Sequence, residues 1–211
     1  MFNFFQGVVD FLGMRSRQAR VFRDLVTLDP QANNPAIKRV VGMLNYRLLK
    51  LVEEIKAYDI VTYEHSLRVC ALMSRGFSHP MILLGALLHD CGKLDTPTSI
   101  LNKTSPLTEM EFEAIKLHPI NGTKRVVEAG VFSDVVENCI LKHHEVAAFG
   151  EHYFGYREVP EYVYALSMAD IFDAITSDRP YAKAEPKEKA IKVLSKGFNT
   201  ERLAFFRDQL L

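Results

Sequence analysis

The chain has 211 residues, of which 26 are basic and 26 acidic; 48% are hydrophobic and 25% charged. That length suffices for one well-buried domain with a small extension, and the apolar content excludes an intrinsically disordered chain. A net charge of zero argues against gripping polymeric nucleic acid, whose phosphates call for a basic excess; a small anionic ligand held by a few cations and metals stays compatible.

Three cysteines, Cys70, Cys91 and Cys139, are odd in number and form no CxxC pair. A disulfide framework is not expected, and a reducing, cytoplasmic setting is. No run of about 18 apolar residues predicts a transmembrane helix. Met1 to Met14 is rich in phenylalanine but contains Asp10 and lacks a basic leader, so it does not read as a signal peptide.

Apolar residues recur at helical spacing almost throughout, which predicts an all-α fold. Residues 1 to about 28 read as one or two amphipathic helices. They pack on the main domain or on a second copy in a homodimer, or lie on a membrane surface. Asp29-Pro30 and Asn33-Asn34-Pro35 interrupt the pattern. A helix is then expected from about Ala36 to Ala57, and another carries His65 as far as His79-Pro80. The nearly wholly apolar run from Met81 to Asp90 predicts a buried helix. Thr96 to Pro106 reads as a loop. Thr108 and Glu111 have capping-box spacing and start a helix that Pro119 ends. Val135, Val136, Cys139, Ile140, His143 and His144 share a helix face. Residues 147 to 160 read as a loop and Tyr162 to Thr176 as a helix, and Pro186 opens a last long one.

Five of the seven histidines lie at ends or on apolar faces of these helices: His65, His89, His118, His143 and His144. Leu87-Leu88-His89-Asp90 ends an apolar helix in an imidazole and a carboxylate, which are costly to bury unpartnered. A metal would satisfy both; so would a helix-terminal histidine beside a loop-capping aspartate. Adjacent His143 and His144 differ by about 100° on a helix and converge on a metal only if the helix end bends. Asp170, inside an apolar helix, needs a cation or donors. Imidazole and carboxylate without thiolate suit iron, manganese, zinc or nickel. Cys91 reads as a small buried hydrophobe, and His79 and His152 as solvated loop residues.

His89-Asp90-Cys91-Gly92-Lys93 resembles the HDxGK signature of the HD superfamily of metal-dependent phosphohydrolases. Further ordered motifs resemble its HD-GYP subfamily: Ser99 to Lys103, Leu107-Thr108, His118-Pro119-Ile120-Asn121-Gly122, His143-His144-Glu145, Ala169 to Ala174 and Thr176 to Tyr181. The resemblance covers roughly residues 60 to 195. It implies a compact HD-type helical bundle over residues 60–211, with residues 1–59 as an N-terminal helical extension. It also implies hydrolysis of a cyclic dinucleotide, cyclic di-GMP foremost, by a hydroxide bridging two divalent metals, iron or manganese first. His65, His89, Asp90 and Asp170 would hold one metal; Asp90, His118, His143 and His144 would hold the other, with Asp90 bridging. Lys93 would contact the phosphate and Arg179 the ligand.

Two departures bear on function. A glutamate that helps some members hold a third metal is replaced by Val61, so two metals are expected; Asp173 or Glu64 could still contribute. The DGxGYP-like loop after His143-His144-Glu145 is eroded, with Gly155-Tyr156 as its remnant. This motivates two rival readings: a catalytically silent cyclic-dinucleotide-binding or scaffold protein, and a phosphohydrolase for another nucleotide.

Overall fold

The computed structural model describes residues 16–146, 152–180 and 182–211. The phenylalanine-rich segment Met1 to Met14 and the first residues of the loop expected from 147 lie outside them. The described residues form helices joined by short connections, with no β-strand among them and a single isolated bridge between Arg179 and Ala182.

In chain order the helices are α1 (Ser16–Leu28), α2 (Pro35–Met43), α3 (Tyr46–Tyr58), α4 (Ile60–Gly76), α5 (Pro80–Leu88), α6 (Thr98–Leu101), α7 (Glu109–Lys116), α8 (His118–Glu128), α9 (Asp134–Lys142), α10 (Glu161–Thr176), α11 (Lys187–Gly197) and α12 (Thr200–Phe205). A 3₁₀ segment, Cys91–Asp95, follows α5, and a π turn, Phe206–Leu210, follows α12.

Asparagines settle several boundaries that apolar periodicity does not mark. The single helix expected over Ala36 to Ala57 is two, because the Asn45 side chain accepts the Leu48 N–H at 3.0 Å and restarts the chain as α3. The last long helix is likewise divided, with Asn199 capping α12. The Thr108–Glu111 capping box forms as expected. The helix it opens ends at Lys116, close to the expected end before Pro119, and Pro119 itself sits in the first turn of α8, where its missing N–H is no loss. The expected Thr96–Pro106 loop contains the helical turn α6. No helix among the described residues is long and apolar enough to cross a membrane.

Helix α5 is apolar on every side and buried from Ile82 to Leu88. Such a helix belongs at the centre of a bundle, and α2, α4 and α9 pack around it. Leu67, Leu83, Leu87, Leu88, Ile140 and Leu166 are fully buried, each worth about 1.5–3 kcal/mol on removal from water. Buried residues of α1–α3, among them Phe22, Leu25, Val40 and Leu48, belong to the same core. Asp59 both ends α3 and caps α4, accepting the Thr62 N–H at 3.0 Å.

Close backbone approaches fix the distance between the elements that carry the chemistry. A Cβ on Gly92 would lie 1.9 Å from the His118 carbonyl oxygen and 2.5 Å from the Gly122 nitrogen. A Cβ on Gly85 would meet the Cys139 side chain at 2.5 Å. Only glycine lets the 3₁₀ segment touch the start of α8, and α5 touch α9. The Cys91 thiol lies inside this junction, fully buried and pushed up to about 12 by burial, so it stays a neutral apolar filler. Gly92→Ala must push the 3₁₀ segment off α8. The expected loss is on the order of 1–3 kcal/mol, read from chemical denaturation; unchanged stability would show that the contact is not tight.

Candidate metal centre

Seven side chains from five parts of the chain meet at the centre of the bundle. His65 comes from the middle of α4, His89 and Asp90 from the end of α5, and His118 from the start of α8. His143 and His144 follow α9, and Asp170 comes from α10. His65, His89, Asp90, His118 and His143 are all at most 2% exposed. Asp90 is the hub. Its Oδ1 faces His118 Nε2 at 3.3 Å and His143 Nε2 at 3.9 Å. Its Oδ2 faces the Nε2 atoms of His65 and His89, each at 3.6 Å. Asp170 Oδ1 adds a contact of 3.0 Å to His65 Nε2.

Hydrogen bonds on the far side of each ring fix which nitrogen carries the proton. His89, His118 and His143 each follow the C-terminus of a helix. Each donates Nδ1–H at 2.8 Å to the carbonyl three residues earlier, that of Ala86, Ile115 and Ile140 respectively. Carbonyls in a last helical turn lack intrahelical partners and are free to accept. His65 is mid-helix, where that carbonyl is engaged, and uses a carboxylate instead: Nδ1–H donates to Asp173 Oδ2 at 2.7 Å. In His89, His118 and His143 Nε2 is left as an acceptor aimed inward; His65 Nε2 also points inward, facing the Asp170 carboxylate.

The inward arrangement is one of electron pairs facing electron pairs. His118 Nε2 and His143 Nε2 stand 3.1 Å apart. His89 Nε2 and Asp90 Oδ1 are buried without a hydrogen-bond partner. Buried acceptors that face only acceptors are costly, and a cation among them removes the cost. Three groups of donor atoms lie within 4.8 Å of one another: His65, His89 and Asp90; His118, His143 and His144; and His89, His143 and Asp170. The donor chemistry and the orphaned atoms therefore fit bound metal.

The protonation states suit ligation. Burial lowers His89 and His143 and takes His118 and His144 down to about 3, so these imidazoles are neutral across the physiological range. Burial opposes ionisation of Asp90, but the Lys93 ammonium and the surrounding rings outweigh it and hold the carboxyl well below its usual range. Asp170 is lowered in the same way, against its burial, by His65. His65 moves up: burial works against the charged ring, and the Asp170 and Asp173 carboxylates outweigh it.

Around this core, Lys93 Nζ pairs with Asp90 Oδ2 at 2.5 Å and lies at the rim, with 21% of its side chain exposed. Asp173 does more than the sequence reading allowed. Besides His65 it accepts from Arg68 Nε at 2.6 Å and Ser177 Oγ at 2.9 Å, so it orients the ring from behind. The signal available in sequence was its spacing of three from Asp170. Arg179 Nη2 lies 2.9 Å from His65 Nδ1 and 3.6 Å from Asp173 Oδ2. A guanidinium only donates and Nδ1–H is already a donor, so its productive partner is the carboxylate. The Arg179 side chain is 8% exposed; reaching a ligand requires it to turn away from that seat. Glu64 pairs outward with Arg68 at 3.8 Å. His79 and His152 are both exposed, as expected; His152 also donates through Nδ1 to the Glu145 carbonyl at 2.6 Å.

The HD domain family model matches residues 62–175, more than half of the chain. The chain belongs to the HD domain family. Cyclic di-GMP phosphodiesterase PA4108 of Pseudomonas aeruginosa is 39% identical to this HD-domain chain, over 69% of the chain and 37% of that protein. The cyclic di-GMP phosphodiesterase response regulator RpfG of Xanthomonas campestris is 28% identical over 89% of the chain and 57% of its own length. A 3'3'-cGAMP-specific phosphodiesterase of Vibrio cholerae is 29% identical over 54% of the chain and 25% of that protein. This HD-domain chain thus spans 37% and 57% of the length of the first two relatives. Among solved structures, Bd1817, an HDG"Y"P protein from Bdellovibrio bacteriovorus, superposes with a TM-score of 0.60 at 22% identity, over 91% of this chain and 69% of that one. That likeness bears out the expected HD-type helical fold, and the relatives bear out the HD-GYP resemblance carried by the motifs.

The metal-free protein carries a defined pH signature. Unfolded, the rings of His89, His118, His143 and His144 take up protons near 6.5; folded, those of His118 and His144 do so only near 3. Across that window the unfolded chain binds more protons, so stability rises with pH and is lost on acidification. His65, being raised, contributes in the opposite sense, present below 6.5 and lost above its folded value. Four rings against one predict that the melting temperature of the chelator-treated protein falls between about pH 7 and about pH 5. A flat profile would contradict the neutral imidazoles.

Proposed function

We propose that this chain is a divalent-metal-dependent phosphodiesterase that hydrolyses a cyclic dinucleotide, with cyclic di-GMP first in line. The observation that carries the reading is the set of inward-facing Nε2 atoms around Asp90, which ask for cations and are each held in ligating orientation from behind. The naming of three relatives as cyclic di-GMP or cGAMP phosphodiesterases supports the substrate class. Residues 60–211 form the catalytic unit on this reading and residues 1–59 its helical extension.

Two metals are assigned. His65, His89, Asp90 and Asp170 hold one; Asp90, His118, His143 and His144 hold the other, with one Asp90 oxygen turned to each half of the cluster. Iron or manganese suits this imidazole–carboxylate set best, with zinc or nickel as alternatives. Such metals, when bound, supply Lewis-acid charge and a water of lowered pKa.

The chain's own residues supply the rest. Asp90 stays ionised and holds the two halves together. Asp173 and the helix-terminal carbonyls keep the rings from turning, which preserves the geometry through turnover. Lys93 at the rim offsets negative charge that builds on the phosphoryl oxygens as the phosphodiester is attacked. Arg179, once turned outward, is a second contact for the anionic ligand.

Asp90→Ala is expected to abolish hydrolysis of cyclic di-GMP and to lower metal content in elemental analysis of anaerobically purified protein. Lys93→Ala should keep the metals and lose roughly 10²–10³-fold in kcat, as for loss of one electrostatic donor. Retained metal and turnover in Asp90→Ala would overturn the bridging assignment. Cyclic dinucleotide bound tightly but never cut, with iron or manganese present, would favour a silent receptor instead.

A further inference from the structure

Four of the five cluster histidines are oriented by a hydrogen bond behind the ring. Among the described residues His144 has none; its neighbours are other rings. It stacks on Tyr153, with centroids 4.5 Å apart and planes inclined by 23°, and leans on His143 at 4.1 Å. Tyr153 also meets His118 edge-on at 6.3 Å and Phe112 at 6.1 Å.

Tyr153 is itself held by a built anchor. The Glu145 carboxylate is wholly buried and accepts three successive backbone N–H groups. Oε1 takes that of Phe154 at 2.7 Å, and Oε2 takes those of Gly155 at 2.9 Å and Tyr156 at 3.1 Å. Gly155 adopts a φ of +80°, a left-handed turn that suits glycine. The residue next to the last cluster histidine thus clamps the loop that lays an aromatic ring on that histidine. Tyr156, the remnant marked by the motif comparison, points elsewhere, 38% exposed and 5.9 Å below the Lys142 ammonium.

We infer that Tyr153 is the positioning residue for His144: its ring, fixed by the Glu145 clamp, does by stacking what a hydrogen bond does for the other four histidines. The inference rests on the two-metal reading above. It gives the altered loop a task in this chain, that of completing the site on the His118–His143–His144 side. Stacking of this kind needs an aromatic face and no hydroxyl.

The test titrates chelator-treated protein with Mn²⁺, following heat release and the His144 ring protons by NMR. Wild type should take up two equivalents. Tyr153→Leu should weaken one of them about 10–100-fold, the usual effect of losing an orienting partner, and shift the His144 resonances selectively. Tyr153→Phe should restore both. Glu145→Gln, which removes one acceptor oxygen from the clamp, should move the same equivalent in the same direction and serves if the leucine variant folds poorly. Two wild-type equivalents in Tyr153→Leu, or a phenylalanine variant as weak as the leucine one, would overturn the inference. No uptake by wild type would instead overturn the metal reading beneath it.

Discussion

The structure depends on acceptor atoms that face one another. Around Asp90, the Nε2 atoms of His65, His89, His118 and His143 all point inward, because each ring donates its Nδ1–H to a partner behind it. A buried cluster of lone pairs beside an ionised carboxylate costs free energy in a folded chain, about 1–3 kcal/mol for each unsatisfied group. The fold tolerates that only by over-determining the position of every member. The site is thus a local conflict, built into an otherwise ordinary apolar core, that a divalent cation resolves.

How the fold holds the conflict together follows from helix ends. A histidine just past a helix C-terminus finds a last-turn carbonyl three residues back that can accept, so three of the rings need no dedicated side chain to orient them. The same position sets them where helices give way to connecting segments, while the helix axis fixes their direction. His65 cannot use this device inside α4 and borrows Asp173, which Arg68 and Ser177 hold in turn. Glycines at 85 and 92 bring the helix ends into register by letting backbone meet backbone and side chain at distances no Cβ would allow. An apolar surface groove of about 420 Å³, lined by residues such as Phe77, Met168 and Phe205, shares no residue with this site. The chemistry sits where charges converge and not in that apolar recess.

Relatives of this HD-domain chain are named as cyclic dinucleotide phosphodiesterases, and most of the converging side chains lie in the motifs that resemble the HD-GYP subfamily. The segment after His144 departs from the DGxGYP-like loop that this resemblance implies. Among the described residues, none of the side chains grouped as able to hold a metal comes from that segment. Glu145, the last residue of the His143-His144-Glu145 motif, is turned inward to hold the replacement loop.

Apolar periodicity and ordered motifs determined the all-helical fold, the burial of α5 and the identity of the seven converging residues. These are local or compositional properties, legible because a helix repeats every few residues and because imidazoles and carboxylates on apolar faces have few reasons to be there. The sequence misplaced boundaries where a single asparagine side chain competes for backbone N–H groups, at Asn45 and Asn199, since that competition leaves no periodic trace. Only the tertiary structure decided what stands behind each ring: the Ala86, Ile115 and Ile140 carbonyls, Asp173 from a helix more than a hundred residues away in sequence, and Tyr153 on His144. Such partners are selected by where distant segments come to rest. That depends on the packing of the whole core and not on any spacing along the chain.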